Sequence, residues 1–287
     1  MTTHERIKRM YEHREADRVP IIDSPWRGTI ARWEREGMPK GMPWQDYIGA
    51  DKLGHIGANI SPRYERKILE ENDRWRIETT DYGVTLRQFK ELDATPEFLD
   101  FKVTTPEAWE DAKRRMQDLS NRIDWKGLER NYPQWKAEGR WLSGGFWFGF
   151  DVTHSGLVGT ETLLMAMLEE PAWVMDIFDT YLSSCEALFD QIWDAGYVFD
   201  EMMWYDDMGY KGTTFFSPAL YRQLVQPFHK RAVDWAHRKG IVARLHSCGD
   251  VHTLLPALAS RGFRPSTPVA RMSGSSALTL PQECRRA

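Results

Sequence analysis

The sequence predicts an α/β protein built on a parallel sheet, and three observations carry that expectation. Short apolar runs of strand length alternate with longer stretches of helical period. The span from Phe199 to Gly240 holds one full unit. An apolar run there is followed by a helical stripe through Leu220, Leu224, Phe228, Ala232, Trp235 and Ala236, with Pro227 a predicted kink. Gly240 stops that helix, and Ile241, Val242, Ala243 and Leu245 supply the apolar run of a strand covered on both faces.

Taken in order, Thr3 to Glu15 reads as a helix capped by Thr3, with Ile7, Met10 and Tyr11 on one face. Asp17 to Asp23 follows as a strand, its Pro20 confined to the start or to an edge. Arg27 to Gly37 is expected as a helix that packs Trp33 inward. Leu53 to Ile60 is a second strand, and Trp75 to Lys90 a hairpin turning at Asp81, Tyr82 and Gly83. Thr105 caps, and Pro106 opens, an amphipathic helix through Trp109, Ala112 and Met116. The charged span from about Pro96 to Trp135 is expected as a helical insertion beside the sheet. Trp141 to Gly149 is the third strand, rich in glycine and aromatics, followed by helices over Glu161 to Glu169 and Trp173 to Gly196. Phe199 to Tyr205 is the fourth strand, and Ser217 with Pro218 opens the next helix. The run after Gly240 is the fifth.

Composition bounds the function. The chain has 287 residues, 41% hydrophobic and 28% charged, which suits one large domain or two small ones. Its 38 basic and 42 acidic residues are interspersed, which does not describe a nucleic-acid surface. No apolar run has the length of a membrane span, and the charged N-terminus lacks a signal core. Cys185, Cys248 and Cys284 are too few and too scattered for a disulfide framework, so a reducing cytoplasm is the expected compartment.

Side chains two apart on a strand point the same way, so His246 and Cys248 emerge together at the C-terminal end of the fifth strand. An imidazole and a thiolate there are two of the three protein ligands a catalytic zinc needs. Cysteine is equally a small buried hydrophobe, and spacing alone leaves both readings open. Asp206 and Asp207 follow the fourth strand directly, so at least one is expected to face the mouth as general base, cation ligand or partner of a metal-bound histidine. Phe146 and Trp147, with Trp204, are candidates for an aromatic substrate wall, whereas Phe148 reads as core. Arg27 and Asn59 complete the candidate substrate contacts. Glu161 is a weaker third oxygen ligand, being a residue type that favours helix surfaces. His13, His229, His237 and His252 read as surface or capping residues.

These residues also carry a resemblance. The block from Asp206, Asp207, Met208 and Gly209 through Ser217, Pro218, Ala219, Leu220, Tyr221 and Arg222 to His246, Ser247, Cys248, Gly249 and Asp250 resembles the uroporphyrinogen decarboxylase superfamily. Within it the sequence is most similar to the zinc-dependent, corrinoid-linked methyltransferases. An opening helix followed by Asp17, Arg18, Val19 and Pro20 is likewise how members of this superfamily begin. The resemblance covers about residues 1–263 and implies a (β/α)8 barrel of the TIM type, with its active site at the C-terminal ends of the strands. It implies zinc on His246 and Cys248, a further cysteine ligand later in the chain, and an acidic residue after the fourth strand lining the cavity. The implied reaction moves a methyl group between a corrinoid on a separate protein and a small thiol or methoxylated substrate; a homodimer is among the assemblies left open.

The alternative, porphyrinogen decarboxylation, meets a difficulty. Family decarboxylases hold the pyrrole N–H groups with an aspartate after the second strand, where this sequence has His55, Ile56, Gly57, Ala58 and Asn59 and no carboxylate before Glu65. Beyond Phe263 the likeness stops. Residues 264–287 are rich in Ser, Pro, Arg and Ala without helix or strand period, and are expected to form a disordered tail. The last barrel units are then expected to be missing, leaving apolar helix faces near Leu164 and Leu224 uncovered, and a truncated, inactive homologue is a third reading.

Overall fold

The structure, a computed structural model, describes residues 1–90 and 94–259. The predicted sixth strand at Phe263, the tail 264–287 and Cys284 lie outside the described residues.

The N-terminal part holds α1 (Thr3–Tyr11), α2 (Arg27–Arg35), α3 (Trp44–Ile48) and β1 (Leu53–Gly57). A four-stranded antiparallel sheet follows, β2 (Lys67–Glu71), β3 (Trp75–Thr79), β4 (Val84–Phe89) and β5 (Glu97–Phe101), in sequential order. Next come α4 (Pro106–Gln117), α5 (Trp125–Ala137), β6 (Trp141–Trp147), α6 (Phe150–Gly156), α7 (Thr160–Glu169) and α8 (Pro171–Asp194). The last part runs β7 (Glu201–Tyr205), the small hairpin β8 (Gly209–Tyr210) and β9 (Thr213–Thr214), α9 (Pro218–Leu220), a π-helical turn over Tyr221–Val225, α10 (Gln226–Arg238), β10 (Val242–His246) and α11 (Leu255–Ala259).

The central sheet has the order β1-β6-β7-β10, every neighbour parallel. Four of the five predicted barrel strands are these. The fold is therefore α/β with a parallel sheet and covering helices, and among the described residues that sheet has four strands. Register places residues of one parity on each face. Leu142, Phe146, Met202, Trp204 and Ala243 belong to one buried core with Phe178, Leu182, Leu188 and Phe189 of α8 and with Ala232, Val233 and Trp235 of α10. The opposite face carries Ser143, Gly145 and Trp147 beside Glu201, Met203 and Tyr205, and then Val242, Arg244 and His246. α1 closes the lower end of that face, with Tyr11 stacked on Trp141 at 5.6 Å and Ile7 beside it.

Several expectations need correction. Val19 is not in a strand; it is 79% exposed, and Pro20 removes the donor a sheet position needs. The segment is held instead by Asp51, whose carboxylate accepts from the Ile21 N–H and the Arg18 guanidinium and also contacts Arg6 and Thr3. The cap of α1 is Thr2, whose hydroxyl accepts from the Glu5 N–H while the Glu5 carboxylate accepts from the Thr2 N–H. Trp33 is half-buried, and α2 buries no residue. The span 96–135 is not wholly helical, because Glu97–Phe101 adds an edge strand to the hairpin. Leu224 is fully buried rather than uncovered, and Leu164 is partly buried against the same core. Pro227 marks a local change from α to π winding at Tyr221–Val225, just before the ring that cannot donate.

Candidate metal centre

The site forms where β7 and β10 end side by side. The Asp206 N–H donates to the His246 carbonyl at 2.9 Å, and the Gly209 N–H to the Cys248 carbonyl at 3.1 Å, so the two loops are tied together. Gly249 adopts φ +77, and a Cβ built there would lie 2.0 Å from the Gly209 backbone. Two glycines facing one another let the loops meet this closely.

Within that junction, His246 Nε2 stands 3.2 Å from Cys248 Sγ and 3.7 Å from Asp207 Oδ1. One donor atom from each of the three residues lies within 4.8 Å of the others. The Asp207 carboxylate also accepts from the Cys248 N–H at 2.7 Å, which fixes it toward the other two side chains. Tyr205 packs edge-on to the His246 ring at 5.1 Å. Burial first, then the hydrogen bond and charge of Asp207, push the Cys248 thiol up to about 12, with Asp151 contributing. Without a cation, the thiol keeps its proton. A divalent ion supplies the positive charge this arrangement lacks and inverts that balance. Imidazole nitrogen, thiolate sulfur and carboxylate oxygen are donors zinc takes, three at a catalytic site with one position open. The set fits zinc, and among the described residues it is the group of three with that geometry.

Asp206 has a different place. It is wholly buried, its carboxylate paired with His229 Nε2 at 2.7 Å and accepting from the Asp151 N–H at 2.7 Å. His229 is also buried, with Nδ1 3.1 Å from the Tyr221 hydroxyl. Burial pushes the Asp206 carboxyl up, and His229 opposes that shift. The expectation that His229 is a surface or capping residue is thus overturned. It sits on the buried stripe with Val225, Ala232 and Ala236, and that spacing was a signal available in the sequence. Asp206 is a positioning group beneath the rim, while Asp207 faces the site.

The proposed substrate residues divide. Phe146 and Trp204 stack in the core at 5.7 Å under α8 and α10, because their parity points them to the helix-covered face. Neither forms a wall of the mouth. Trp147 has the opposite parity; its indole N–H donates to Asp151 Oδ2 at 2.6 Å, and Tyr82 from the hairpin turn meets it edge-on at 5.8 Å. Asn59 lies exposed after β1, its side-chain oxygen accepting from the Ser61 N–H and hydroxyl in a local turn. Arg27 opens α2 at the surface, and Glu161 lies exposed in the first turn of α7. Asp151, which the sequence reading passed over, follows the Gly149 turn and stands beside His154, 3.5 Å from Oδ1. Lower on the same face, Glu201 is buried in a bidentate pair with Arg244, with hydrogen bonds from Ser143 and Tyr11.

No protein-family model matches the chain, and no curated protein sequence matches it. Four chains of known structure do. One, a methyltransferase from Methanosarcina mazei, superposes with a TM-score of 0.56 at 15% identity, covering 92% of this chain and 75% of that one. At that identity, the likeness shows the fold.

Proposed function

We propose that the chain is a methyltransferase that holds zinc on Asp207, His246 and Cys248 and takes its methyl group from, or gives it to, a corrinoid on a separate protein. The observation that carries the reading is the convergence of three zinc-type donors at the C-terminal ends of β7 and β10. Support comes also from the fold shared with a protein described as a methyltransferase, and from the motif resemblance around His246 and Cys248.

Zinc bound there supplies a Lewis acid that lowers the pKa of a coordinated thiol and leaves the sulfur nucleophilic at neutral pH. The chain's own residues do the rest. Asp207, pinned by the Cys248 N–H, keeps the donor set convergent. Asp206 and His229 hold the strand ends from below, and their dry pairing fixes where Asp207 emerges. A thiol acceptor would become a thioether and so would give up its proton to solvent, while the corrinoid would keep the electron pair of the cobalt–carbon bond; neutral or basic pH would therefore favour the reaction.

The test is metal content followed by turnover. Wild type is expected to carry about one zinc per chain, and His246→Ala and Cys248→Ser to carry little. Zinc-loaded wild type is expected to demethylate methylcobalamin in the presence of a small thiol. Equal zinc in all three proteins contradicts the site, and zinc binding without methyl transfer contradicts the reaction.

A further inference from the structure

We propose that β2 is a docking edge for a second copy of this chain, the two β2 strands pairing antiparallel about a two-fold axis between Ile68 and Leu69. β2 stands at one end of the antiparallel sheet, and among the described residues no strand pairs with its outer edge. Every residue from Glu65 to Arg74 is exposed, with Ile68 at 56% and Leu69 at 57%. The register against β3 steps from Ile68 opposite Glu78 to Glu70 opposite Ile77, so Leu69 is an extra residue with no partner in that ladder. An open strand edge carrying two adjacent bare aliphatic side chains is a template for another strand.

The charges identify that strand. Arg66 and Lys67 precede the aliphatic pair and Glu70 and Glu71 follow it, so the segment runs basic, apolar, acidic. Laid antiparallel on itself it is self-complementary. Ile68 faces Leu69 of the second copy, Lys67 faces Glu70 of the second copy, and Arg66 faces Glu71 of the second copy, each contact occurring twice. Opposite charges directly across a strand pair stabilise it, and like charges oppose it. Parallel pairing in register would set each charge beside its own copy, so the pattern selects the antiparallel arrangement. Within the chain, Lys67 Nζ meets Glu65 at 2.8 Å and Lys90 Nζ meets Glu71 at 2.7 Å, both at the surface, where such pairs contribute little and exchange readily. A strand from an unrelated protein would have to carry the mirrored order of charges, which a second copy has by symmetry. The contact uses the same edge of both copies, so assembly stops at two. It joins the two four-stranded sheets into one of eight strands, and it depends on neither the metal nor the methyl-transfer reading.

The test is sedimentation velocity of the full chain at up to about 0.2 mM, since a single strand pair is a small contact. Wild type is expected at twice the chain mass of 33.5 kDa. Lys67→Glu and Glu70→Lys each set two pairs of like charges across the joint and are expected to weaken the dimer at least about tenfold. The double variant restores both pairs in the reverse sense and is expected to dimerise. An equimolar mixture of the two single variants is expected to form a heterodimer for the same reason. A wild type that stays monomeric, that assembles beyond two, or that dimerises equally well with either substitution overturns the proposal. A dimer lost in both single variants and recovered in neither the double variant nor the mixture also overturns it, because plain disruption of β2 would give that result.

Discussion

Asp206 and Asp207 are adjacent in sequence and opposite in environment. Strand parity carries Asp206 to the side of Met202 and Trp204, into the core, and Asp207 to the side of Tyr205, at the rim. The sequence supported one acid facing the mouth, and the same alternation was enough to say which. Asp206→Ala leaves His229 buried without its carboxylate, and the expected loss is about 3–5 kcal/mol in urea unfolding. Asp207→Ala removes an accepted backbone hydrogen bond from a half-exposed group and is expected to cost about 1 kcal/mol. Comparable losses for both would contradict their assignment to core and rim. Gly149 is a further constraint: it adopts φ +101, and a Cβ there would lie 2.5 Å from Asp206 Oδ2. Gly149→Ala is expected to destabilise by about 1–3 kcal/mol, and an unchanged melting curve would contradict that crowding.

Among the elements, four strands were legible because apolar runs bounded by glycine and acidic residues carry their own signal, as at Val242–His246 and Glu201–Tyr205. The segment around Val19 was not, since what places it is a distant carboxylate. Asp51, in the short loop between α3 and β1, gathers Arg6, Arg18, Thr3 and the Ile21 N–H. The edge strand Glu97–Phe101 was missed for a related reason. Its pattern of two acids and three apolar residues lacks clean alternation, and a bulge shifts its register against β4. Burial tends to raise the Asp51 carboxyl, but the Ile21 N–H, Arg18, Thr3 and Arg6 outweigh it and hold it below the ordinary range. A carboxyl lowered by folding contributes stability that is present above its unfolded value, near 4, and is lost as pH falls through the folded value. Asp51→Asn is therefore expected to cost about 1–3 kcal/mol at pH 7, with the gap to wild type closing below pH 4. A gap independent of pH would show that the charge of Asp51 is not what holds the N-terminal segment.

For the whole molecule, the sheet order β1-β6-β7-β10 and the covering helices place the candidate site at one end of four parallel strands. The core beneath is continuous from α4 through α8 to α10, which is why Leu224 is covered and the predicted bare patch there is absent. Exposed Met165, Leu168 and Met175 remain on α7 and α8. No helix among the described residues is long and apolar enough to cross a membrane. A metal held as proposed would join the loops after β7 and β10, so zinc is expected to raise the melting temperature and a chelator to lower it. Free zinc at a thousand times its dissociation constant corresponds to about 4 kcal/mol of added stability. A melting temperature indifferent to both would mean that the folded chain does not bind the ion. The most direct measurement is the absorption spectrum of the protein loaded with cobalt(II) in place of zinc. The account predicts a thiolate-to-cobalt charge-transfer band with the intensity of a four-coordinate site, lost in Cys248→Ser and altered in Asp207→Asn; a spectrum of hydrated cobalt, identical in wild type and both variants, would contradict it.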